Sequence, residues 1–238
     1  MSLYWLFAFC AIGYLVGNLS PASMISRFLK KDVTKMGSGN LTTTNILRNF
    51  GTKWGAVCFL IDTLKATIPA MIAFFAYGGA ITIGANSNPT DSYIALYATG
   101  FAVVVGHVFP VLRKFRGGKG FASMIGVFMV AHPWVSLAAF AVLLIFVFLF
   151  EYVPVGNFVY LTFMVSYAAL QPFNEYNIAV CALLFSFYFF TLFIFRSNIN
   201  RLLTGNEKSA TLLKGLRQRR LAKRQEKWFE SLRENVVE

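Results

Sequence analysis

The sequence predicts an all-α integral membrane protein with about seven transmembrane helices. Of its 238 residues, 57% are hydrophobic, only 13% are charged and 26 are phenylalanine. A soluble domain of this size has too small an interior to bury so much apolar surface. The apolar residues also form separate stretches, several of them near the ~20 residues that a helix needs to cross a bilayer. These stretches lie at residues 3–26, 54–78, 93–112, 120–133, 134–150, 155–170 and 177–195.

The first stretch has no basic leading region and no small-residue cleavage pattern, so it predicts a first span and not a removed signal peptide. The fourth and fifth stretches are short for a span. Between them lies His132-Pro133-Trp134. Proline disfavours a helical conformation in the residue before it, so this tripeptide predicts a tight turn between two helices.

The distribution of Lys and Arg predicts the orientation. With the N-terminus outside, the cytoplasmic parts are the loops at 27–53 and 113–119 and the chain from Arg196 onward, which hold most of the cations. Three segments on the opposite side contain no Lys or Arg: residues 79–92, 132–134 and 171–176. This pattern follows the positive-inside rule. The net charge of +12 therefore belongs mainly to the cytoplasmic face, which suits membrane lipids and anionic substrates better than nucleic acid.

The chain divides into a membrane domain over residues 1–205 and a basic tail over residues 206–238. The tail interleaves apolar residues such as Leu213 and Trp228 with Lys, Arg and Glu. This composition is typical of an amphipathic helix that lies on anionic headgroups. We predict no site residue in the tail.

A glycine-rich loop after the first span is the first candidate site. Its two glycines permit a backbone turn that points amide groups at an anion. The residues that follow predict a short helix over 44–50, on which Asn45 and Arg48 share one face. A helix N-terminus after such a loop is a ready phosphate site, and an ordinary capped loop is the alternative. The candidate residues are Gly37, Ser38, Gly39, Asn40, Asn45 and Arg48.

A second loop, where the third apolar stretch ends, combines cations with glycines. Cations beside glycines form a phosphate cradle, whereas a stop-transfer cluster that only fixes topology is the alternative. His107, about one turn earlier, is either a proton-transfer group or an orienting partner. The loop is not a Walker A motif, because Lys119 is followed by glycine and not by Ser or Thr. The candidate residues are His107, Arg116, Gly117, Gly118, Lys119 and Gly120.

The exit of the last span holds the third candidate group. Asn198 and Arg201 are three residues apart, so a helix presents them on one face, although a basic patch at the membrane boundary is also common. Inside the second span, Asp62 and Lys65 can neutralise each other, and we interpret them as a brace for the site. The three cysteines are single residues without metal spacing, so we predict neither a metal nor a cofactor.

In order and spacing, these motifs resemble the bacterial acyl-phosphate:glycerol-3-phosphate acyltransferase family. The resemblance covers roughly residues 10–207 and includes Gly106-His107-Val108-Phe109-Pro110 and Phe115-Arg116-Gly117-Gly118-Lys119-Gly120. It implies transfer of an acyl group from acyl phosphate to the 1-hydroxyl of glycerol 3-phosphate, giving lysophosphatidic acid and phosphate. It also implies a place in the bacterial plasma (inner) membrane, with the site facing the cytoplasm.

The same resemblance implies which residues act. Ser38, Arg48 and Lys119 are the expected catalytic residues, and the other candidates bind substrate. Four residues are expected at the acyl-phosphate head: Ser38, Asn40, Asn45 and Arg48. Four are expected at the acceptor phosphate: Arg116, Lys119, Asn198 and Arg201. No Ser-His-Asp set is evident, so we do not expect a covalent acyl-enzyme.

Three positions depart from the family pattern. Phe195 stands where the family has His, Thr42-Thr43-Thr44-Asn45 replaces Gly-Ala-Thr-Asn, and Pro154 lies where a Ser-rich turn commonly follows the fifth span. Two alternatives therefore stay open. One is a non-catalytic or transport-type protein that binds a phosphorylated lipid or metabolite. The other is acyl transfer to a different phosphorylated alcohol. The sequence predicts neither an acyl-chain preference nor an oligomeric state.

Overall fold

The described part of the chain consists of nine α-helices and two short 3-10 turns, without a strand. The structure is a computed structural model that describes residues 3–79, 89–150, 152–171 and 178–207. The 3-10 turns are Val33–Lys35 and Val111–Arg113. The helices are α1 (Leu3–Gly17), α2 (Pro21–Phe28), α3 (Thr43–Phe50), α4 (Thr52–Ala76), α5 (Pro89–Val108), α6 (Phe121–Ala131), α7 (Pro133–Phe150), α8 (Val153–Ala169) and α9 (Ile178–Leu203). The all-α prediction is confirmed.

Five described segments are long and apolar enough to cross a membrane. They are Leu3–Phe28, Thr52–Ala76, Thr90–Arg113, Pro133–Phe150 and Ile178–Leu203. Two further apolar helices are shorter, with 11 residues in α6 and 17 in α8. Of the two stretches expected to be short, the fourth is indeed short, but the fifth forms the 18-residue α7. The protein is thus a multi-pass membrane protein, and the count of seven spans and its orientation stay predictions.

The predicted turn between the fourth and fifth stretches is confirmed. α6 ends at Ala131, α7 begins at Pro133, and the amide N of His132 donates to the carbonyl oxygen of Phe128 at 2.9 Å. Proline suits the first helical position because its missing N–H has no partner there in any case. The tail predicted from residue 206 lies outside the described residues beyond Glu207.

α5 occupies the centre of the bundle, where it packs against α1, α4, α6 and α9. Glycines bring α1 and α5 close together. A Cβ atom at Gly17 would meet the carbonyl oxygen of Val103, and one at Gly106 would meet that of Tyr14. Small residues allow such close approach of helix backbones within a membrane. This packing fixes the end of α5 that carries His107.

Three ionisable side chains from α4 and α5 form a buried cluster. Lys65 Nζ lies 2.7 Å from Asp62 Oδ1, and His107 Nδ1 lies 3.2 Å from the same oxygen. Lys65 also donates to the carbonyl oxygens of Gly17 at 3.3 Å and Leu19 at 2.7 Å. The predicted pairing of Asp62 with Lys65 is confirmed, and His107 joins it. Such partners are needed because an isolated buried charge is strongly unfavourable.

Candidate active site

The loop that carries Lys119 is supported by His107. The amide N of Gly118 donates to the carbonyl oxygen of His107 at 3.2 Å. A Cβ atom at Gly118 would collide with His107 Nε2 and with the carbonyl oxygen of Leu41, so only glycine fits between the two loops. Gly117 likewise lies against the backbone of His107, and Gly120 immediately precedes α6. The backbone of His107 therefore supports the loop, and the two roles predicted for its side chain stay predictions.

Lys119 connects this loop to α9. Its Nζ donates to Asn198 Oδ1 and lies 4.6 Å from the centre of the Phe195 ring. Burial lowers the pKa of Lys119 to about 8, and the nearby carboxylate of Glu207 opposes that shift. Lys119 is consequently a cation at neutral pH that loses its proton more readily than an exposed lysine.

The chain after α9 folds back and brings Glu207 to the same place. Glu207 Oε1 accepts a hydrogen bond from Asn198 Nδ2 at 2.9 Å, and Oε2 accepts one from Arg201 Nε at 2.8 Å. The Glu207 side chain is only 6% exposed. The predicted common face of Asn198 and Arg201 is confirmed. Glu207 was not predicted as a site residue, because it lies at the start of the basic tail, where we expected none.

Arg48, from the first candidate cluster, is influenced by the charges of Glu207 and Arg201. Burial lowers the pKa of its guanidinium, the charge of Glu207 raises it, and that of Arg201 lowers it. Arg48 and Arg201 also act on Lys119. Glu207 is ion-paired with Arg201, and its charge also acts on Arg48 and Lys119, so these three cations and one carboxylate carry a net charge of +2. We call this set the Glu207 site; it comprises Arg48, Lys119, Asn198, Arg201 and Glu207.

The first glycine loop is shaped from within by Asn45. Asn45 Oδ1 accepts a hydrogen bond from the amide N of Ser38 at 3.1 Å. Asn45 Nδ2 donates to three carbonyl oxygens, those of Val33 at 3.2 Å, Met36 at 3.1 Å and Asn40 at 3.0 Å. Gly37 and Gly39 have φ of +58° and +70°, which side-chain-bearing residues rarely adopt. The predicted helix follows as α3, where Thr42 Oγ1 accepts from the Asn45 amide.

The backbone amides of the first glycine loop do not point outward as predicted. The amides of Ser38 and Gly39 donate inward, so they do not form the anion-binding nest that the glycines suggested. Asn45 is buried and bonded at both ends of its amide, so it holds the loop in shape. Ser38 and Asn40 are exposed, and their contact with a substrate stays a prediction.

Arg116 lies apart from the Glu207 site. It is exposed and lines a separate open cleft with Arg113 and Lys114. Its expected position with Lys119 and Asn198 around one acceptor phosphate stays a prediction.

Phe195 stands where a histidine was expected, and it makes a cation–π contact with Lys119. Its ring is 2% exposed and receives the Lys119 ammonium group on its face. Such cation–π pairs are attractive, and the attraction grows as water is excluded. Phe158 packs edge to face on Phe195 at 5.6 Å, which brings the start of α8, with buried Pro154, next to this ring. Phe195 thus fixes the ammonium position without offering a hydrogen bond.

A multi-pass helical bundle with excess cations gathered at one end defines a membrane protein suited to anionic substrates. The sequence matches the glycerol-3-phosphate acyltransferase family over residues 7–205, and the chain belongs to that family. The resemblance read from the motifs is therefore confirmed.

Individual relatives agree with this assignment. Glycerol-3-phosphate acyltransferase of Thermoanaerobacter pseudethanolicus is 36% identical over 82% of this chain and 91% of its own length. The enzyme of Mycoplasmopsis pulmonis is 41% identical, but over half of each chain. The solved structure of PlsY (YgiH) in its glycerol 3-phosphate form is 30% identical, covers 89% of this chain and 98% of its own, and has a TM-score of 0.76. Its lysophosphatidic acid form gives a TM-score of 0.72 with 31% identity, covering 86% of this chain and 94% of its own.

Proposed function

We propose that the protein transfers an acyl group from acyl phosphate to the 1-hydroxyl of glycerol 3-phosphate. The products are lysophosphatidic acid and phosphate. The proposal rests on the Glu207 site, where Arg201 pairs with Glu207, Asn198 binds both Glu207 and Lys119, and the charge of Glu207 acts on Lys119 and Arg48. Membership of the acyltransferase family supports acyl transfer, and the glycerol 3-phosphate and lysophosphatidic acid forms of PlsY support the acceptor and the product.

The reaction requires little covalent chemistry from the protein. The acceptor hydroxyl oxygen attacks the acyl carbonyl carbon, and the bond between that carbon and the bridging phosphate oxygen breaks. The phosphate leaves with the bonding electrons, and the hydroxyl proton passes to it. Because phosphate is a good leaving group, the main tasks are to hold two anions together and to stabilise developing negative charge.

The geometry suggests how these tasks are divided. Lys119 and Arg48 would neutralise the donor phosphate and the oxygen that becomes negative during attack. Asn198 and Arg201, both held by Glu207, would bind the acceptor phosphate. The N-terminus of α6 begins directly after Lys119 and Gly120, so the positive end of its dipole adds to the same field.

We further propose that the site faces the cytoplasm from the bacterial plasma membrane. This proposal rests on the cations in the loops at 27–53 and 113–119, opposite segments that lack Lys and Arg. Soluble glycerol 3-phosphate would then reach the site from the cytoplasm, and the acyl donor from the lipid.

The test uses purified full-length protein in lipid nanodiscs with palmitoyl phosphate and radiolabelled glycerol 3-phosphate, with palmitoyl-CoA in parallel. We expect lysophosphatidic acid to form with palmitoyl phosphate as the donor and not with palmitoyl-CoA. Arg48→Ala and Lys119→Ala should each lower kcat/KM by about 100-fold or more, because each removes a charge that stabilises the transition state. Arg196→Ala removes an exposed cation that lies over the Phe193 ring, and it should retain activity.

Two results would contradict the proposal. Folded protein that binds palmitoyl phosphate but acylates no polyol phosphate would instead be a binding protein. Acylation of another phosphorylated alcohol, without acylation of glycerol 3-phosphate, would keep the reaction type and reject the acceptor.

A further inference from the structure

A second group of cations lines an open cleft that shares no residue with the Glu207 site. The cleft has a volume of about 620 Å³, within the ~300–1,000 Å³ common for ligand pockets. It lies between α2, the turns that follow it, and the segment around Val111–Arg113. Among its described lining residues, one is acidic and six are cations. The cations are Arg27, Lys30, Lys31, Arg113, Lys114 and Arg116.

Buried polar groups hold one wall of this cleft in place. The side chain of Ser26 is buried, donates to the carbonyl oxygen of Lys31 and accepts from the amide N of Val33 at 3.1 Å. These bonds fix the turn that presents Lys30 and Lys31. The wall is therefore part of the folded structure and not a loose surface loop.

The opposite wall is held in the same way. Buried Asn18 accepts a hydrogen bond from the amide N of Leu112 at 3.3 Å through its side chain. Its carbonyl oxygen accepts another from Arg113 Nη2. The side-chain amide of Asn18 is in turn anchored to the Tyr14 carbonyl oxygen at 2.7 Å. Both walls thus carry cations on a fixed backbone.

The backbone is strained where two of these cations stand. Lys30, Lys114 and Phe115 have φ of +52°, +51° and +59°, and they are the only non-glycine residues with positive φ in the described ranges. Lys30 follows α2 in a Schellman arrangement: its amide N donates to Arg27, and that of Lys31 donates to Ser26. Glycine is the usual residue at this position. Strain of this kind commonly marks a functional position.

We propose that this cleft binds the phosphate headgroup of an anionic membrane lipid. Within the described ranges, none of the six cations forms an ion pair with a carboxylate, so their charge is available to a ligand. The acidic lining residue, Asp32, is engaged by Thr34 and Lys35. Cations close to a membrane end attract anionic headgroups.

Apolar side chains at the same place favour a lipid over a soluble phosphate compound. Leu112 lines the cleft and is 75% exposed, and Phe115, next to Lys114 in the chain, is 60% exposed. The cleft also adjoins the end of the candidate span Thr90–Arg113. Headgroup and acyl chains would therefore meet cations and apolar side chains, respectively.

The test titrates detergent-solubilised full-length protein with phosphatidylglycerol, with phosphatidylcholine of the same chains, and with inorganic phosphate, and reads binding by native mass spectrometry. The variant is Lys30→Gly combined with Lys114→Gly. We expect roughly thirtyfold weaker phosphatidylglycerol binding, since each such cation is worth about fivefold in affinity. The melting temperature without lipid should stay equal or rise, because glycine accepts positive φ without strain.

Three matched variants make the result specific. Lys30→Asn combined with Lys114→Asn removes both charges, and asparagine tolerates positive φ better than other non-glycine residues. This variant should show the same loss of phosphatidylglycerol affinity. Lys53→Gln removes an exposed cation outside the cleft and should bind like the original protein. Lys119→Ala should also keep its lipid affinity, so this proposal and the proposed acyl transfer can fail separately.

The proposal is overturned if the double glycine variant binds phosphatidylglycerol as tightly as the unchanged protein. Equal affinity for phosphatidylcholine would show that headgroup charge is not recognised. Inorganic phosphate binding as tightly as phosphatidylglycerol, with loss in the double variant, would assign the cleft to a soluble phosphate compound instead.

Discussion

The buried cluster of Asp62, Lys65 and His107 and the Glu207 site balance their charges in different ways. In the buried cluster, one carboxylate faces one ammonium group, which also contacts two backbone carbonyl oxygens and His107 Nδ1. In the Glu207 site, one carboxylate pairs with Arg201 and its charge also acts on Arg48 and Lys119. Balanced charge inside the bundle serves the fold, whereas the excess of positive charge in the Glu207 site is available to an anionic ligand.

The two regions are also connected. His107 belongs to the buried cluster and accepts a hydrogen bond from Gly118, which is the residue before Lys119. The position of the Lys119 ammonium group therefore depends on helices α4 and α5. A change in the buried cluster should affect folding first, while a change in the Glu207 site should affect catalysis alone.

The largest effect should come from Asp62→Asn, which leaves Lys65 as a buried charge without its carboxylate. We expect the free energy of unfolding to fall by about 3–5 kcal/mol, as when one partner of a buried ion pair is removed. Chemical unfolding in detergent, followed by tryptophan fluorescence, measures this change. Asp32→Asn removes an exposed acid but keeps an oxygen for Thr34, so stability should change much less than in Asp62→Asn. Equal stability of both variants would show that the buried cluster does not support the fold.

A smaller effect should follow from Glu207→Gln, which breaks the Glu207 site without disturbing the buried cluster. Asn198 and Arg201 lose a charged acceptor, so we expect kcat/KM to fall roughly tenfold. Lys119 acts as a cation, so activity of the unchanged protein should decline as pH rises through about 8. Glu207 raises the pKa of Lys119, so its neutralisation should move that decline to lower pH.

The pH profile of kcat/KM reports groups of the free enzyme, so it is the measurement to use. Glu207→Asp keeps the charge and serves as the control, with weaker binding but little change in the alkaline decline. A decline that stays at the same pH in Glu207→Gln would mean that Glu207 does not act on Lys119.

The smallest effect should come from Phe195→His. A histidine at this place can donate to phosphate, so we expect kcat/KM with glycerol 3-phosphate to rise by a few fold. Phe195→Leu keeps an apolar side chain but removes the ring face from Lys119, and it should lower kcat/KM by a few fold. Steady-state kinetics of both variants give the comparison. If neither differs from the unchanged protein, the ring only fills space.

Local patterns in the sequence predicted much of the fold. Apolar stretches predicted the membrane helices, Pro133 predicted the turn at His132, and helical periodicity placed Asn198 and Arg201 on one face. These features depend on neighbours within a few residues. Such features can be predicted from sequence because the backbone hydrogen bonds of a helix join residues four apart in the chain.

The parts that the sequence did not reveal depend on contacts between distant residues. Glu207 reaches the site only because the chain reverses after α9. Asn45 turns inward because the carbonyl groups of its own loop need donors, and Arg116 lines a cleft with residues from the loop after α2. Loop side chains point where unsatisfied polar groups require them, and spacing in the sequence does not encode that direction.

The shortness of α6 has a consequence for how deep the chemistry lies in the bilayer. Its 11 residues rise about 16 Å, roughly half of the ~30 Å hydrocarbon layer, whereas the 25 residues of α4 rise about 37 Å. If the His132 turn lies at one membrane surface, Lys119 stands well below the other. Under the proposed function, a donor could then be acted on within its own leaflet, with its chain still among the lipids.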